Sequence, residues 1–128
     1  MVKYECVIHG VDGLEYDLVS VSDDAMSLEF NFEKSSGEKI KIKFDTPDMY
    51  IVTNECYDLV SQNEDGDSIF DGTLLYRVEG SELLDVFYRR SYDIYRDSGV
   101  EHYMIWCLDN IAHIFTSVPP VVSQFPAE

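Results

Sequence analysis

The clearest pattern in the chain is a pair of alternating apolar and polar segments, residues 28–33 and 39–44, joined by a short polar loop. Alternation with a period of two is typical of half-buried strands, and the loop Ser35-Ser36-Gly37 suits a three-residue hairpin closure with Gly37 in the left-handed region. A one-residue shift would place phenylalanines opposite lysines, so the pattern specifies the register. The predicted pairs are Phe32 with Ile40, Phe30 with Ile42, Leu28 with Phe44, Glu33 with Lys39 and Glu29 with Lys43.

A second hairpin is predicted for residues 100–108 and 111–116, with Asp109-Asn110 as a two-residue turn. Both faces of this hairpin are apolar, so it is either central in the sheet or carries an interface on one face. The pattern leaves those alternatives open for the face that holds Met104, Trp106, His113 and Phe115. The predicted pairs are Trp106 with His113, Met104 with Phe115, Ile105 with Ile114 and Cys107 with Ala112.

The helical period appears once, after Gly80. Ser81 suits an N-cap, and Glu82 falls in the first turn, where the helix dipole favours a negative charge. One apolar stripe and a basic C-terminal end follow, and the pattern leaves open whether the helix ends near Ser91 or continues towards Gly99. The stripe consists of Leu83, Leu84, Phe87 and Tyr88, and the basic end of Arg89 and Arg90.

Further strand-length segments lie at residues 3–9, 16–21, 49–53 and 74–78, whereas residues 55–62 fit a helical turn or a strand equally well. Pro119-Pro120 is predicted to end the regular structure, which makes the residues after about 119 a loose tail. We therefore expect residues 1–128 to form a single α+β domain. Its core is a mostly antiparallel β-sheet of about five to seven strands, with one principal helix packed on one face.

Composition and charge narrow the class of protein. The 128 residues are 45% hydrophobic and 13% aromatic, which excludes a disordered chain. Twenty-five acidic and nine basic side chains give a net charge of −16, which argues against nucleic-acid binding and against attraction to anionic membranes. No signal peptide or membrane span is evident, and Cys6, Cys56 and Cys107 form no Cys-x-x-Cys pair. We expect free thiols and a soluble cytoplasmic protein.

Sequence motifs for catalysis and metal binding are missing. His9, His102 and His113 lie beside no nucleophile motif, and the chain has no His-Glu-x-x-His sequence and no glycine-rich phosphate loop. The acidic loop at residues 63–67 fits an EF-hand in neither possible register, because the closing glutamate at position 12 is Leu74 or Gly72 instead. We predict no enzyme activity, no cofactor and no metal site.

The acidic residues are unevenly distributed. No lysine or arginine occurs between Lys3 and Lys34, or between Lys43 and Arg77. Such a surplus of repelling carboxylates favours a basic partner protein, and nuclease inhibitors face basic targets because a nuclease substrate is a polyanion. Acidic residues bordered by aromatic anchors suit that role. The predicted contact residues are Glu64, Asp65, Asp67, Phe70 and Asp71, with Tyr57 and Tyr76 as flanking aromatics and Asp23 and Asp24 as a second patch.

The C-terminal third shows an ordered series of features: the helix at 81–87, Ser91-Tyr92-Asp93-Ile94-Tyr95, the strand at 102–105, Asp109-Asn110-Ile111 and a final short strand. This series resembles small immunity proteins of bacterial contact-dependent growth inhibition and other polymorphic toxin systems. Those families often carry an acidic residue after the isoleucine of the last strand, where this chain has Ala112. The resemblance implies a single-domain cytoplasmic inhibitor that binds one toxin domain tightly.

These observations predict a cytoplasmic immunity protein that neutralises a basic bacterial toxin domain, with a nuclease as the favoured class, by covering its active site with acidic residues. Two alternatives stay open. One is a structural or adaptor protein of a phage or mobile element, and the other is a DNA-mimic inhibitor whose carboxylates are spaced like phosphates. The oligomeric state is open as well.

Overall fold

The computed structural model describes residues 3–54, 72–90 and 99–127 of the chain. These residues contain nine strands, one α-helix and a short 3-10 turn at Gly13–Glu15. In chain order the elements are β1 (Lys3–Cys6), β2 (Tyr16–Asp23), β3 (Ser27–Lys34), β4 (Lys39–Asp45), β5 (Met49–Asn54), β6 (Leu75–Glu79), α1 (Glu82–Arg90), β7 (Glu101–Cys107), β8 (Asn110–Thr116) and β9 (Val121–Phe125).

The strands form two antiparallel sheets with the orders β1-β6-β7-β8-β5 and β2-β3-β4-β9. The predicted α+β class, mostly antiparallel with one principal helix, is therefore confirmed. The strands number nine in two sheets, where five to seven were expected. The inner faces of both sheets share one core, in which the rings of Phe44 and Tyr103 lie 5.8 Å apart between centroids.

The β3–β4 hairpin has the predicted register, with Phe32 opposite Ile40 and Leu28 opposite Phe44. All the apolar side chains of its inner face are buried in the core between the sheets. Gly37 has a φ of +95°, and its N–H donates to the Lys34 carbonyl at 2.8 Å, as the three-residue loop requires. The strict alternation specified this register because any odd shift would bury lysines.

The β7–β8 hairpin is also present, but its register differs from the predicted one by two residues. Cys107 pairs with Asn110, so Leu108 and Asp109 form the turn, and Asp109 takes the positive φ of +67°. Aspartate tolerates this left-handed conformation better than most residues, which explains why the turn settles there. A shift of two leaves each side chain on its predicted face. β7 is the central strand of its sheet, which is one of the two arrangements that its apolar faces allowed.

Helix α1 begins after Ser81, whose Oγ accepts a hydrogen bond from the Leu84 N–H at 2.9 Å. This is the predicted N-cap geometry. The helix packs against the outer face of the five-stranded sheet, where the ring of Phe87 stacks on that of Phe115 with centroids 5.3 Å apart. Arg89 and Arg90 occupy its last turn, as the dipole favours.

The residues after 119 are not a loose tail. Residues 121–125 form β9, which pairs antiparallel with β4 from Lys43 to Lys39. The prediction was wrong because Pro119-Pro120 ends only the preceding connection, and proline is tolerated just before a strand. Val122 packs against the core between the sheets. A Cβ built on Gly37 would lie 3.4 Å from the Cβ of Ala127, so the chain beyond β9 still touches the β3–β4 loop.

Candidate functional site

The described surface has a concentration of carboxylates where β2 turns into β3. Asp23 Oδ1 accepts from the Ala25 N–H at 2.9 Å, and Asp24 Oδ1 accepts from the Met26 and Ser27 N–H groups at 3.0 and 2.8 Å. Aspartate side chains commonly close turns in this way, by bonding to the backbone two residues ahead. Both carboxylates are exposed, and both are held in place by the turn they close.

The hydrogen bonds at this turn also stabilise the charge of Asp24. Because the N–H groups of Met26 and Ser27 donate to it, the pKa of the Asp24 carboxyl lies below its ordinary value, and Lys43 contributes weakly in the same direction. Asp23 uses its other oxygen as well, accepting from the Tyr50 hydroxyl at 3.2 Å. Asp24 therefore stays ionised at pH values where ordinary aspartates begin to take up protons. The hydrogen bonds of the turn all go to its Oδ1, so its Oδ2 accepts none of them.

Two further aspartates follow along the chain, Asp45 as the last residue of β4 and Asp48 in the connection to β5. Asp45 pairs with Ser27 across the β3–β4 ladder, and the Thr46 N–H donates to the Met26 carbonyl at 2.9 Å. Asp48 follows two residues later and is exposed. We call Asp23, Asp24, Asp45 and Asp48 the acidic end. Asp45 is not among the predicted contact residues, although the predicted pair of Leu28 with Phe44 already placed it beside this turn.

The backbone of the acidic end is strained. Ala25 has a φ of +72° and Thr46 a φ of +43°, both in the left-handed region. That region is unusual for alanine and more so for a β-branched residue, and each such conformation costs about 1–3 kcal/mol. Met26, between them in space, is 69% exposed, which is unusual for a large apolar side chain. The acidic end thus combines ordered carboxylates, strained turns and an exposed apolar apex.

Of the other predicted contact residues, Tyr76 is the one in the part of the chain that the structure describes. Tyr76 is fully buried, and its hydroxyl accepts from the Thr73 N–H at 2.7 Å, so its prediction as a partner contact was wrong. Its burial follows from its place on β6, where it faces away from the other sheet and packs in a second small core with Tyr4 and Met104. The remaining candidates lie outside the described residues: Tyr57, Glu64, Asp65, Asp67, Phe70 and Asp71.

Burial also excludes the alternative interface, which the sequence placed on one apolar face of the β7–β8 hairpin. Met104, His113 and Phe115 are buried, and Trp106 packs partly buried beside them. This face meets α1 around Phe115 and is therefore core. The hairpin is central in the sheet and covered on both sides, which settles the choice that the apolar pattern left open.

A buried chain of hydrogen bonds connects Ser81, His102 and His113 behind α1. Ser81 Oγ lies 2.7 Å from His102 Nδ1, and His102 Nε2 lies 2.9 Å from His113 Nδ1. Since Ser81 Oγ already accepts from Leu84, we assign its proton to the bond with His102, which then donates through Nε2 to His113. Burial, reinforced by the neighbouring imidazole, lowers the pKa of His102 to about 3. Both rings are closed to solvent, so a substrate could reach neither without local opening.

Elsewhere in the described residues, two cationic side chains form ion pairs with neighbouring carboxylates. Arg77 bonds to Glu5, to Glu79 at 2.7 Å and to Glu101 at 3.4 Å, and these bonds, with that to Glu5 the strongest, raise its pKa. Lys34 pairs with Glu15 at 2.7 Å. A shallow groove of about 390 Å³ lies elsewhere, on the outer face of the four-stranded sheet. It is lined by Val19, Asn31, Phe32, Glu33, Lys39, Ile40, Lys41 and Phe125.

Residues 3–54, 72–90 and 99–127 contain neither a metal-binding cluster nor a helix able to span a membrane. No group of three or more His, Cys, Asp or Glu side chains there is arranged to hold a metal ion. The helix in this part of the chain lacks the length and apolar character needed to cross a bilayer. Cys6 and Cys107 are free thiols, and burial raises the pKa of Cys107 to about 11, which makes it a poor nucleophile. Cys56 and the acidic loop at 63–67 lie outside the described residues.

Comparison with known proteins identifies no relative of this chain. No family model matches the chain, and neither a curated protein nor a solved structure resembles it significantly. The fold itself defines the class of protein: two antiparallel sheets packed face to face, with a helix on the outer face of the larger one. The function must therefore be argued from the site.

Proposed function

We propose that this protein is a cytoplasmic immunity protein that binds a basic bacterial toxin domain, with a nuclease as the favoured class, and covers its active site. The acidic end is the described surface that supports this proposal best. Its Asp23 and Asp24 carboxylates are exposed and already ordered by their own turn. Ordering of interface side chains is a cost of binding, and here the fold meets it before the partner arrives.

The chemistry of the acidic end suits lysine and arginine side chains of a partner. Charged hydrogen bonds between carboxylates and cationic groups are about twice as strong as neutral ones, and Asp24 retains an oxygen that its turn does not use. Met26 adds a flexible apolar contact at the apex, since methionine adapts to irregular surfaces. Apolar anchors beside charged pairs are common in tight interfaces.

The net charge of −16 supports fast association with a basic target. Complementary charge raises association rates to about 10⁸–10⁹ M⁻¹s⁻¹ at low salt, which suits an inhibitor that must act before its toxin does damage. The resemblance of the C-terminal third to toxin-system immunity proteins is the reason for proposing a toxin as the basic partner. Together these features favour an inhibitor over a protein that binds an acidic partner.

The test is co-expression with the candidate toxin. The C-terminal domain encoded by the adjacent upstream reading frame is expressed with and without this protein, and the growth of both cultures is measured. We expect toxicity that this protein abolishes, and binding of the purified domains by surface plasmon resonance or calorimetry. Equal toxicity in both cultures would contradict the proposal.

The role of the acidic end is tested with the double variant Asp23→Asn/Asp24→Asn. Asparagine keeps the Oδ1 acceptor with which each side chain closes the turn and removes the charge. At position 23 it also replaces the oxygen that accepts from Tyr50 by an amide NH₂, which can donate to that hydroxyl instead. We expect Kd to rise at least about thirtyfold, the effect of a hot spot worth about 2 kcal/mol, with a weaker salt dependence of the association rate. The matched control Glu82→Gln/Asp85→Asn removes two charges from α1 and should change Kd much less. An equal rise in Kd for both double variants would mean that net charge alone, and not the acidic end, determines the affinity.

One of the alternatives gains no support from the described surface. A DNA mimic needs a continuous stripe of carboxylates, but Lys39, Lys41 and Lys43 stand together on the outer face of the four-stranded sheet. A structural or adaptor role would appear in the same experiments as a stable complex with a partner that is not toxic when expressed alone.

A further inference from the structure

Strand β9 is a free edge among the described strands. It is the last strand of the four-stranded sheet, bonded to β4 on one side. Its sequence, Val-Val-Ser-Gln-Phe, has no charge, and prolines stand only outside it, at 119, 120 and 126. Monomeric proteins usually protect an edge with a lysine, a proline or a bulge within the strand, because an open edge is a template for pairing with another chain. β9 has none of these protections.

The two ends of β9 expose apolar side chains on the outer face of the sheet. Val121 is 60% exposed and Phe125 is 48% exposed. They lie two residues on either side of Ser123, so all three stand on the same face of the strand. The opposite edge strand, β2, differs because it is bulged near Val19 and carries aspartates at positions 17 and 23.

The charge beside β9 is opposite to that of the whole chain. Ladder pairing sets Lys43 opposite Val121, Lys41 opposite Ser123 and Lys39 opposite Phe125, all on the outer face. On its other side, Lys41 faces Asn31 and not a carboxylate. A chain with a net charge of −16 repels its own copies over most of its surface, but this repulsion is weakest at a neutral edge next to a row of lysines.

We propose that β9 pairs antiparallel with β9 of a second copy around a two-fold axis at Ser123, joining the two four-stranded sheets into one. The strand is self-complementary in this arrangement. Val121 of each copy faces Phe125 of the other, and β-branched residues paired with aromatics are among the favoured cross-strand combinations. The axis brings together only the two small Ser123 side chains. Two-fold pairing of identical surfaces is also the commonest way in which chains form oligomers.

The proposed dimer is reversible. A five-residue edge buries less than the roughly 1,200 Å² at which stable interfaces begin, so the dimer should form and dissociate with concentration. The pairing uses the open edge of β9 and no residue of the acidic end, whose Asp23 and Asp24 lie at the β2–β3 turn on the opposite edge of the sheet. The dimer and the proposed toxin inhibition can therefore be tested separately, and either can fail without the other.

Sedimentation velocity over a wide range of protein concentrations tests the proposal. The unmodified chain should shift from monomer mass towards dimer mass as its concentration rises. The double variant Val121→Lys/Phe125→Lys should stay monomeric, because antiparallel pairing would set introduced lysines opposite each other. The variant Val121→Lys/Phe125→Glu should dimerise again, because the same register sets each introduced lysine opposite an introduced glutamate. A parallel register would instead repeat like charges side by side.

The matched control is Val19→Lys on β2. Val19 is 59% exposed, almost the same as Val121, and lies on the opposite edge of the same sheet. This variant should dimerise like the unmodified chain, and thermal unfolding should show that all variants fold. A chain that stays monomeric at every concentration overturns the proposal. So does equal loss of association in the Val19 and Val121 variants, or a charge-swapped double that fails to recover it.

Discussion

The contact between His102 and His113 is the residue-scale feature that sequence patterns could not predict. Both residues were recognised on the second hairpin, but the predicted register set His113 opposite Trp106 and left His102 beyond the last pair. In the structure His113 faces Met104 and His102 faces Phe115, which makes the two histidines diagonal neighbours. A shift of two residues does not change which face a side chain occupies, so the apolar pattern has no power to detect it. The turn geometry decides it instead.

The buried His102 should make the stability of the fold depend on pH. Burial lowers the pKa of His102 to about 3 in the folded state, against an ordinary value of 6.5. The unfolded state therefore binds a proton first as pH falls, and the free energy of unfolding decreases from about pH 6.5 towards pH 3. One such group contributes a slope of up to about 1.4 kcal/mol per pH unit. Urea unfolding at a series of pH values measures this slope.

The variant His102→Gln removes the titrating ring and should flatten the slope between pH 6 and 4, even if it lowers stability at pH 7 by breaking the bonds to Ser81 and His113. His9 is exposed, so His9→Gln serves as the control and should leave the slope as it is. A slope that His102→Gln does not change would mean that the carboxylates alone determine the acid sensitivity.

At the scale of elements, alternation was a reliable guide wherever one face of a strand is buried. β3 and β4 followed it, because each has a polar outer face and an apolar inner one. The alternating pattern did not predict β9, because Val121 and Phe125 are apolar and yet lie on the outer face of the sheet. Helix α1 was predictable from its cap and stripe, which act within a few residues of each other. Asp45 was predictable in part: the predicted hairpin implied its position beside the β2–β3 turn, but not that it belongs to the acidic end.

The 3-10 turn before β2 depends on a very close approach to the central strand. A Cβ built on Gly13 would lie 1.8 Å from the Trp106 carbonyl oxygen, which is backbone and cannot move aside. We therefore expect Gly13→Ala to destabilise the fold by about 3 kcal/mol or more, measured as the free energy of unfolding in urea. Gly10→Ala is the control. Nothing lies within 4 Å of its Cβ, so it should cost only the about 1–2 kcal/mol of a left-handed alanine. Equal losses would contradict this account.

At the scale of the whole molecule, the division into two sheets was beyond prediction. Hairpin partners are adjacent in sequence, and the patterns found the β3–β4 and β7–β8 hairpins but not the pairing of β2 with β3. The pairings of β1 with β6 and of β4 with β9 join distant segments, and no local pattern encodes such a choice. The charge distribution was more accessible. It indicated an acidic surface at Asp23 and Asp24, although only the structure could add Asp48 to it.

The surplus of carboxylates should make the whole fold more stable in salt. Sixteen uncompensated negative charges repel one another in the compact state, and salt screens that repulsion. We expect the free energy of unfolding to rise by about 1 kcal/mol between low salt and physiological salt, which raises Tm by about 4 °C for a chain of this size. Calorimetry over a NaCl series measures it.

The double variant Asp23→Asn/Asp24→Asn should show a smaller salt effect than the unmodified chain, since it starts with less repulsion. A Tm that falls as NaCl is added would mean that attractive pairs, such as those of Arg77 and Lys34, outweigh the repulsion.

The place of β9 in the sheet also has a consequence for synthesis on the ribosome. β2, β3 and β4 emerge early and in an order that lets them pair as they appear, but the far side of β4 has no neighbour until residues 121–125 have been made. For most of translation, therefore, the open side of the nascent sheet is a strand that carries Lys39, Lys41 and Lys43. Lysines on an unfinished edge discourage premature pairing with other nascent chains. The uncharged strand that covers this edge is synthesised after every other described element of the chain.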